Sequence, residues 1–188
     1  MDSKNRCAWC GTDPVYVRYH DEEWGTPVHD DKVLFEFLIL EGAQAGLSWI
    51  TILRKRENYR KAFESFDYRK IAKYDNVKVQ SLLQNEGIVR NRLKINATIL
   101  NAQKFMEVQR EFGSFDKYIW SYVGNKQLKN NPNTIKDIKA STEISDAISK
   151  DLKSRGLKFV GSTIIYAFMQ AVGMVDDHVV DCFRAAKR

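Results

Sequence analysis

The chain has 188 residues, 44% of them hydrophobic, and 30 lysines and arginines against 24 aspartates and glutamates give it a net charge of +6. That length suits a single domain over residues 1–188, able to bury a core without a disulfide framework, and the positive charge favours a polyanionic partner. No signal peptide and no run near the ~18 apolar residues of a membrane span is present, so we expect a cytoplasmic protein with no membrane partner.

Apolar residues recur with helical spacing along nearly the whole chain, and capping residues and glycines mark the ends of the helices. The predicted helices cover residues 32–40, 49–63, 67–72, 77–85, 91–112, 145–154 and 162–172. Gly87 follows the fourth of these, where we expect a left-handed C-cap. An aromatic-rich piece at 115–123 precedes an irregular loop at 124–139, to which we assign no function. No strand alternation is evident, so the sequence predicts an all-α bundle.

Residues 54–61, RKRENYRK, carry five basic side chains against one acidic side chain. Such a run favours contact with a polyanion, but it is equally typical of a solvated helix face. The run by itself does not decide between these two interpretations.

Two cysteine and histidine pairs lie far apart in the sequence. Cys7 and His20 come early, while His178 and Cys182 are four residues apart in HVVDC, a spacing that places both on one face of a helical turn. Two cysteines and two histidines complete a closed tetrahedral shell, which is typical of structural zinc. The separation of the pairs leaves open that they are unrelated. Cys7 and Cys10 also form a chelating or redox spacing, so Cys10 competes as a ligand. The third histidine, His29, is interpreted as an exposed loop residue.

Four sequence blocks occur in an order that identifies a family. They are CAW at 7–9, YVRYHDEEWG at 16–25, LEGAQAGLSWITILRKRENYRKAF at 40–63 and KFVGSTIIYAFMQAVGMVDDHVVDC at 158–182. Together they resemble the 3-methyladenine DNA glycosylase I family over almost the whole chain. Residues 125–139 match least well.

The resemblance implies a helix-hairpin-helix fold in which one structural Zn²⁺ per chain, bound by Cys7, His20, His178 and Cys182, tethers the N- and C-termini. The hairpin is predicted at about 82–95. Gly87, Ile88 and Arg90 would contact the DNA backbone there, because turn amides and a helix N-terminus can approach a phosphate closely. Gly87 read by itself is only a helix stop.

Glu41 directly follows the most apolar stretch of the chain, where a carboxylate is costly to bury without a partner. The resemblance implies that Glu41 is the catalytic residue and binds the N6 and N7 edge of an alkylated adenine, with Tyr19 and Trp49 flanking the base and Trp9 and Tyr16 completing the wall. A purely structural carboxylate at Glu41 is the alternative.

The segment QAGLS at 44–48 lies between Glu41 and Trp49. Gly46 would let its backbone approach the bases, and Leu47 could fill the gap that a flipped base leaves. An ordinary connecting loop is the alternative.

The function implied is a monomeric DNA repair enzyme that acts on double-stranded DNA with alkylated bases, flips N3-methyladenine and releases it by hydrolysis as the free base, without lyase activity. Asp176, Asp177 and Asp181 are interpreted as residues that orient the zinc ligands rather than as catalytic acids. The main alternatives are a DNA-binding module without catalysis and a redox protein centred on Cys7 and Cys10.

Overall fold

A computed structural model describes residues 4–185 of the chain. This part of the protein is mostly helical, as predicted. The helices are α1 Pro14–Glu22, α2 Asp31–Gln44, α3 Trp49–Ala62, α4 Tyr68–Ile71, α5 Asn76–Gln84, α6 Arg92–Phe112, α7 Phe115–Ser121, α8 Glu143–Ser154 and α9 Ser162–Ala171. Single 3-10 turns cover Ala8–Cys10, Glu64–Phe66 and Ile135–Asp137.

Short polar side chains begin the helices. Asp13, Asp30, Asp67, Asp75 and Asn91 each accept a hydrogen bond from a backbone amide in the first turn of the helix that follows. Each such bond satisfies one of the N–H groups that a helix start leaves without an intrahelical partner. The beginnings of α1, α2, α4, α5 and α6 are therefore encoded locally.

Gly173 explains the sharp end of α9. Its φ is +69°, and a Cβ at this position would lie 2.3 Å from the carbonyl carbon of Thr26. Only glycine permits both the left-handed backbone and this close approach of two chain segments. The approach brings the segment after α9 against the segment after α1.

Helix α2 forms the centre of the fold and is longer than predicted. Every residue from Leu34 to Ala43 is buried, and α2 packs against α3, α6, α7 and α9. The prediction ended the helix at Leu40 because Glu41 and Gly42 interrupt the apolar run. The real helix continues for another turn, which places the Glu41 side chain inside the molecule.

Two short strands were not predicted. Strand β1, Leu128–Lys129, pairs in parallel with β2, Val175–Asp176, with Leu128 opposite Val175. A two-residue strand shows no alternation, so the pairing has no local signal in the sequence. It joins the 124–139 loop, which was expected to be irregular, to the segment that follows α9. No helix among residues 4–185 combines the length and apolar character that crossing a bilayer demands.

Candidate active site and metal group

An open cavity of about 280 Å³ lies where α1, α2, α3 and α9 meet. The five residues predicted to bind a base, Glu41 among them, all line it. The lining residues are Trp9, Tyr16, Tyr19, Trp24, Glu41, Gln44, Trp49, Ile135, Ile138, Ala167 and Gln170. The structure therefore brings together side chains that are 40 residues apart in sequence.

Glu41 supplies the acidic group of this cavity. Only 3% of the residue is exposed, and its Oε2 atom is buried without a hydrogen-bond partner among the described residues. Burial raises the pKa of the Glu41 carboxyl from 4.5 to about 8. A buried polar group without a partner is unfavourable for stability, so this carboxyl is a candidate for a functional residue.

Aromatic rings surround Glu41 in a contiguous set. The Tyr19 and Trp49 rings lie 5.5 Å apart, centroid to centroid, and the Trp9 ring lies 5.0 Å from Tyr16 and 4.9 Å from Trp24. Trp24 was not predicted, although it belongs to the block at 16–25. The faces of these rings offer the negative potential that attracts a cationic ligand.

The 124–139 loop supplies part of the cavity wall that sequence reasoning missed. Ile135 and Ile138 line the cavity, and a capping box between Thr134 and Asp137 shapes the turn that carries Ile135. The backbone N–H of Val180 also donates to the carbonyl of Pro132 at 3.0 Å. Nothing local in the loop sequence indicates these long-range contacts.

The turn between α2 and α3 carries the predicted plug. Gly46 has a φ of +80° with open space around it, and Leu47 is 41% exposed. Lys94 Nζ donates to the carbonyls of Ala43 and Ala45 at 2.8 and 2.7 Å, and this holds the turn against the start of α6. Both predicted residues therefore face solvent at the end of the helix that carries Glu41.

The predicted hairpin contains two helices, α5 and α6, joined by residues 85–91. The expected left-handed C-cap at Gly87 is wrong, because the φ of Gly87 is not in the left-handed region. Glycine is required there for space: a Cβ would lie 2.9 Å from the Asn58 Cβ. Ile88 is only 3% exposed, whereas the Arg90 side chain is 50% exposed.

The basic run at 54–61 is largely paired with acidic groups. Arg56 is buried and donates to Glu36 at 2.5 Å and to Glu23 at 2.6 Å, and Arg60 donates to Glu36 at 2.7 Å. Arg54 pairs with Asp13 at 2.6 Å. These contacts favour a structural interpretation of the run, since its arginines already have carboxylate partners.

Cys7, His20 and Cys182 form a buried group whose ligand atoms all lie within 4.8 Å of one another, and such a group can hold a metal ion. His20 Nε2 lies 3.4 Å from the Cys182 Sγ. Burial raises the pKa of the Cys7 thiol to about 12 and lowers the pKa of the His20 imidazole. The early and late parts of the chain therefore meet at this group.

His178 lies beside this group. Its ring centroid is 5.1 Å from that of His20, and its Nε2 is buried without a partner among the described residues. The predicted helical turn over 178–182 is wrong: these residues form a tighter turn, in which the Cys182 N–H bonds the Val179 carbonyl at 2.8 Å. The two side chains come together through this turn instead of along a helix face.

His20 and His178 each have a carboxylate next to the Nδ1 atom of the ring. Asp176 Oδ1 lies 2.7 Å from the His178 Nδ1, as predicted, and Asp21, which was not predicted, lies 2.8 Å from the His20 Nδ1. Asp177 does not contact either ring; it bonds Tyr166, Gln170 and Asn130 instead. Asp181 makes a different contact, because its backbone carbonyl accepts from the Asn5 amide.

The two remaining predicted residues lie outside the metal group. Cys10 is buried, but its Sγ faces the carbonyl of Gly11 at 3.9 Å and does not belong to the group. His29 is exposed, as expected, and its Nδ1 lies 2.7 Å from the Asp116 carboxylate.

Known proteins similar to this chain are methyladenine glycosylases. A model of the methyladenine glycosylase family matches residues 9–185. The chain is 50% identical to DNA-3-methyladenine glycosylase 1 of Escherichia coli K12, covering 94% of this chain and 95% of that one. A solved structure of 3-methyladenine DNA glycosylase I from Staphylococcus aureus, which describes the basis of 3-methyladenine recognition, superposes on this chain with a TM-score of 0.95. The two chains are 38% identical, and the match covers all of both.

A variant of 3-methyladenine DNA glycosylase I, solved in complex with 3-methyladenine, superposes with a TM-score of 0.94 at 38% identity over 98% of this chain and 99% of that one. The likeness thus extends over the whole described structure. The enzyme class predicted from the sequence, a DNA-3-methyladenine glycosylase, is confirmed, and this chain belongs to the methyladenine glycosylase family.

Proposed function

We propose that the protein excises N3-methyladenine from alkylated double-stranded DNA by hydrolysis, without lyase activity. The observation that carries the proposal is the partnerless Glu41 carboxyl in an aromatic cavity. The binding of 3-methyladenine by a structurally similar glycosylase supports it.

The substrate itself explains why such a cavity suffices. Methylation at N3 gives the adenine ring a positive charge and weakens its bond to the sugar, and cleavage releases a neutral base. The leaving group is already activated. An enzyme can therefore rely on recognising the cationic ring and on stabilising the departing sugar cation, with no strong acid.

Glu41 is suited to distinguish the cationic ring from ordinary adenine. Its raised pKa keeps the carboxyl protonated in the empty cavity at neutral pH. A cationic ring beside it favours the ionised form, because an opposite charge lowers the pKa of a carboxyl. Neutral adenine supplies no such charge and leaves the carboxyl neutral. The alkylated base thus gains an ion pair that normal bases cannot form.

The rings of Tyr19, Trp49, Trp9 and Tyr16 add to this preference. A cation over an aromatic face gains up to about 2 kcal/mol when the pair is desolvated. Tyr19 and Trp49 are buried, their ring centroids lie 5.5 Å apart, and both line the cavity that holds Glu41, which suits them to contact the base.

DNA would be held by two exposed turns. The turn at Gly87, Ile88 and Arg90 would contact a phosphate at the hairpin, chiefly through the exposed Arg90 side chain, and Gly46 and Leu47 suit the gap left by the flipped base. The exposure of Leu47 and the open space at Gly46 support this assignment. Contacts of this kind position the duplex and leave base identity to the cavity.

A structural Zn²⁺ would complete the metal group. Two thiolates and two imidazoles form a closed shell with no position left for water, and the partnerless Nε2 of His178 is the atom that a fourth ligand requires. Asp21 and Asp176 would orient the two rings. The ion would fix residues 7–20 against residues 178–182 and so support the wall that carries Trp9 and Tyr19.

Replacing Glu41 by Gln tests the proposal. The variant should release 3-methyladenine about 100-fold more slowly or worse, a loss comparable to that of other groups that stabilise developing charge, and should still bind alkylated duplex within a few-fold of wild type. Glu107→Gln, an exposed carboxylate in an ion pair with Lys104, is the matched control. An equal loss of binding and base release in the Glu41 variant would contradict the proposal, since it would indicate a structural carboxylate.

A further inference from the structure

Gln170 is a polar residue of the cavity that the proposed chemistry does not use. It lies in the last turn of α9, the helix that packs against α2, and so faces the same cavity as Glu41. Its amide has one donor end and one acceptor end. Which end faces the cavity decides what it can recognise.

Asp177 determines that orientation. The residue is 2% exposed, and its carboxylate accepts three hydrogen bonds of 2.7 Å, from Gln170 Nε2, Tyr166 Oη and Asn130 Nδ2. All three partners donate to this carboxylate, and from Gln170 it is the amide nitrogen that points toward it. The carbonyl Oε1 is then the end left for a ligand. No donor in residues 4–185 bonds to Oε1.

The amide is therefore held as a fixed acceptor. A reversed amide would place its carbonyl oxygen against the Asp177 carboxylate, which two oxygen acceptors cannot satisfy. Tyr166 and Asn130 in turn hold the carboxylate in place, and Asn130 also donates to the Tyr166 hydroxyl at 3.2 Å. Asp177 and Tyr166 are 2% and 3% exposed, so water does not readily replace the hydrogen bond between them.

We infer that Gln170 recognises the exocyclic amino group of the flipped base and so selects adenine over guanine among N3-methylated purines. Asp177 is the positioning residue for this contact. The inference rests on the proposed function, and it assigns a second recognition element beside Glu41.

The need for a second element follows from the charge of the substrates. N3-methylguanine and N3-methyladenine carry the same positive charge, so aromatic faces and an anionic oxygen do not separate them. Adenine presents an amino group with two hydrogens at position 6, where guanine presents a carbonyl oxygen. One hydrogen can bond Glu41 and the other Gln170 Oε1. The carbonyl oxygen of guanine would instead face two acceptors, the Glu41 carboxylate and Gln170 Oε1, and could form a hydrogen bond with neither.

The test uses DNA methylated at N3 of both purines and compares the rates at which the two free bases appear. Wild-type protein should release 3-methyladenine in strong preference. Gln170→Met keeps the side-chain length but removes the acceptor, and the preference should fall about 10- to 100-fold, as expected for loss of one well-formed base contact. Gln103→Met is the matched control, because that glutamine also donates a hydrogen bond through its Nε2, to the Ala72 carbonyl, but lies outside the cavity.

An unchanged preference in Gln170→Met would overturn the inference, even if both rates fall together, because a merely structural residue changes the two rates equally. Failure of wild-type protein to release either base would instead overturn the proposed function. Asp177→Asn supplies a second variant in case Gln170→Met does not fold. Its new amide can donate, which allows Gln170 to reverse, so the preference should fall at least several-fold; a wild-type preference would overturn the positioning role of Asp177.

Discussion

Replacing Glu41 by Gln should make the protein more stable at neutral pH while it destroys base release. The cavity holds the Glu41 carboxyl with a pKa of about 8, against 4.5 in the absence of burial. Between those two values the folded chain keeps a proton that the unfolded chain has lost. The free energy of unfolding therefore falls as the pH rises from 4.5 to 8. Outside that window Glu41 contributes no pH dependence to it.

The magnitude follows from the size of that window. Each pH unit corresponds to about 1.36 kcal/mol, so the interval from 4.5 to pH 7 amounts to about 3 kcal/mol of lost stability in the wild type. Glutamine has almost the same volume and carries no proton to titrate. The variant should therefore exceed the wild type by about 3 kcal/mol at pH 7 and by less than about 1 kcal/mol at pH 5.

Urea unfolding at pH 5, 6 and 7, followed by tryptophan fluorescence, measures this difference. Glu107→Gln provides the control, since an exposed substitution should change stability by no more than about 0.5 kcal/mol. If Glu41→Gln is instead less stable than the wild type by the same amount at every pH, the carboxylate has a stabilising partner. The functional interpretation of its burial then fails.

The ionisation of Glu41 should also control catalysis, because the ionised form binds the cationic base. The value of kcat/KM on alkylated DNA should therefore rise about tenfold per pH unit below the pKa of Glu41 and level off near pH 8. A flat pH profile would contradict this. Cys182→Ser should lose bound metal and melt at a lower temperature, whereas Cys10→Ser should retain wild-type metal content by elemental analysis; equal metal loss in both would place Cys10 in the ligand shell. Leu47→Ala should slow base release from duplex about tenfold with less effect on single-stranded DNA, because only a duplex leaves a gap to fill. Equal slowing on both substrates would exclude a plug at Leu47.

Local signals were enough to locate most helices. Asp67 and Asn91 begin helices where the sequence predicted, and Gly113 ends α6 with a φ of +87°. These features depend on neighbouring residues only. By contrast, the extra turn of α2 is buried at Glu41, Gly42 and Ala43 in a helix that packs against four others, which neither the Glu41 carboxylate nor Gly42 indicates on its own.

Some residues of the site were predicted from the sequence and others were not. Glu41 and the four predicted aromatic residues line one cavity, as the family resemblance implied. Hydrophobic periodicity alone could not predict this, because it contains no information about contacts between distant parts of the chain. Ile135, Ile138 and Gln170 were missed, since each reaches the cavity through contacts made far away in the sequence. Gln170 in particular looks like an ordinary polar residue of an apolar helix. Only its bond to the buried Asp177 distinguishes it.

Incubation of the protein with alkylated and with undamaged duplex, followed by chromatography of the small molecules released, tests the central claim most directly. The account predicts free 3-methyladenine from the alkylated duplex and no purine from the undamaged one. Release of no purine from either duplex would contradict it, as would release of normal adenine at a comparable rate.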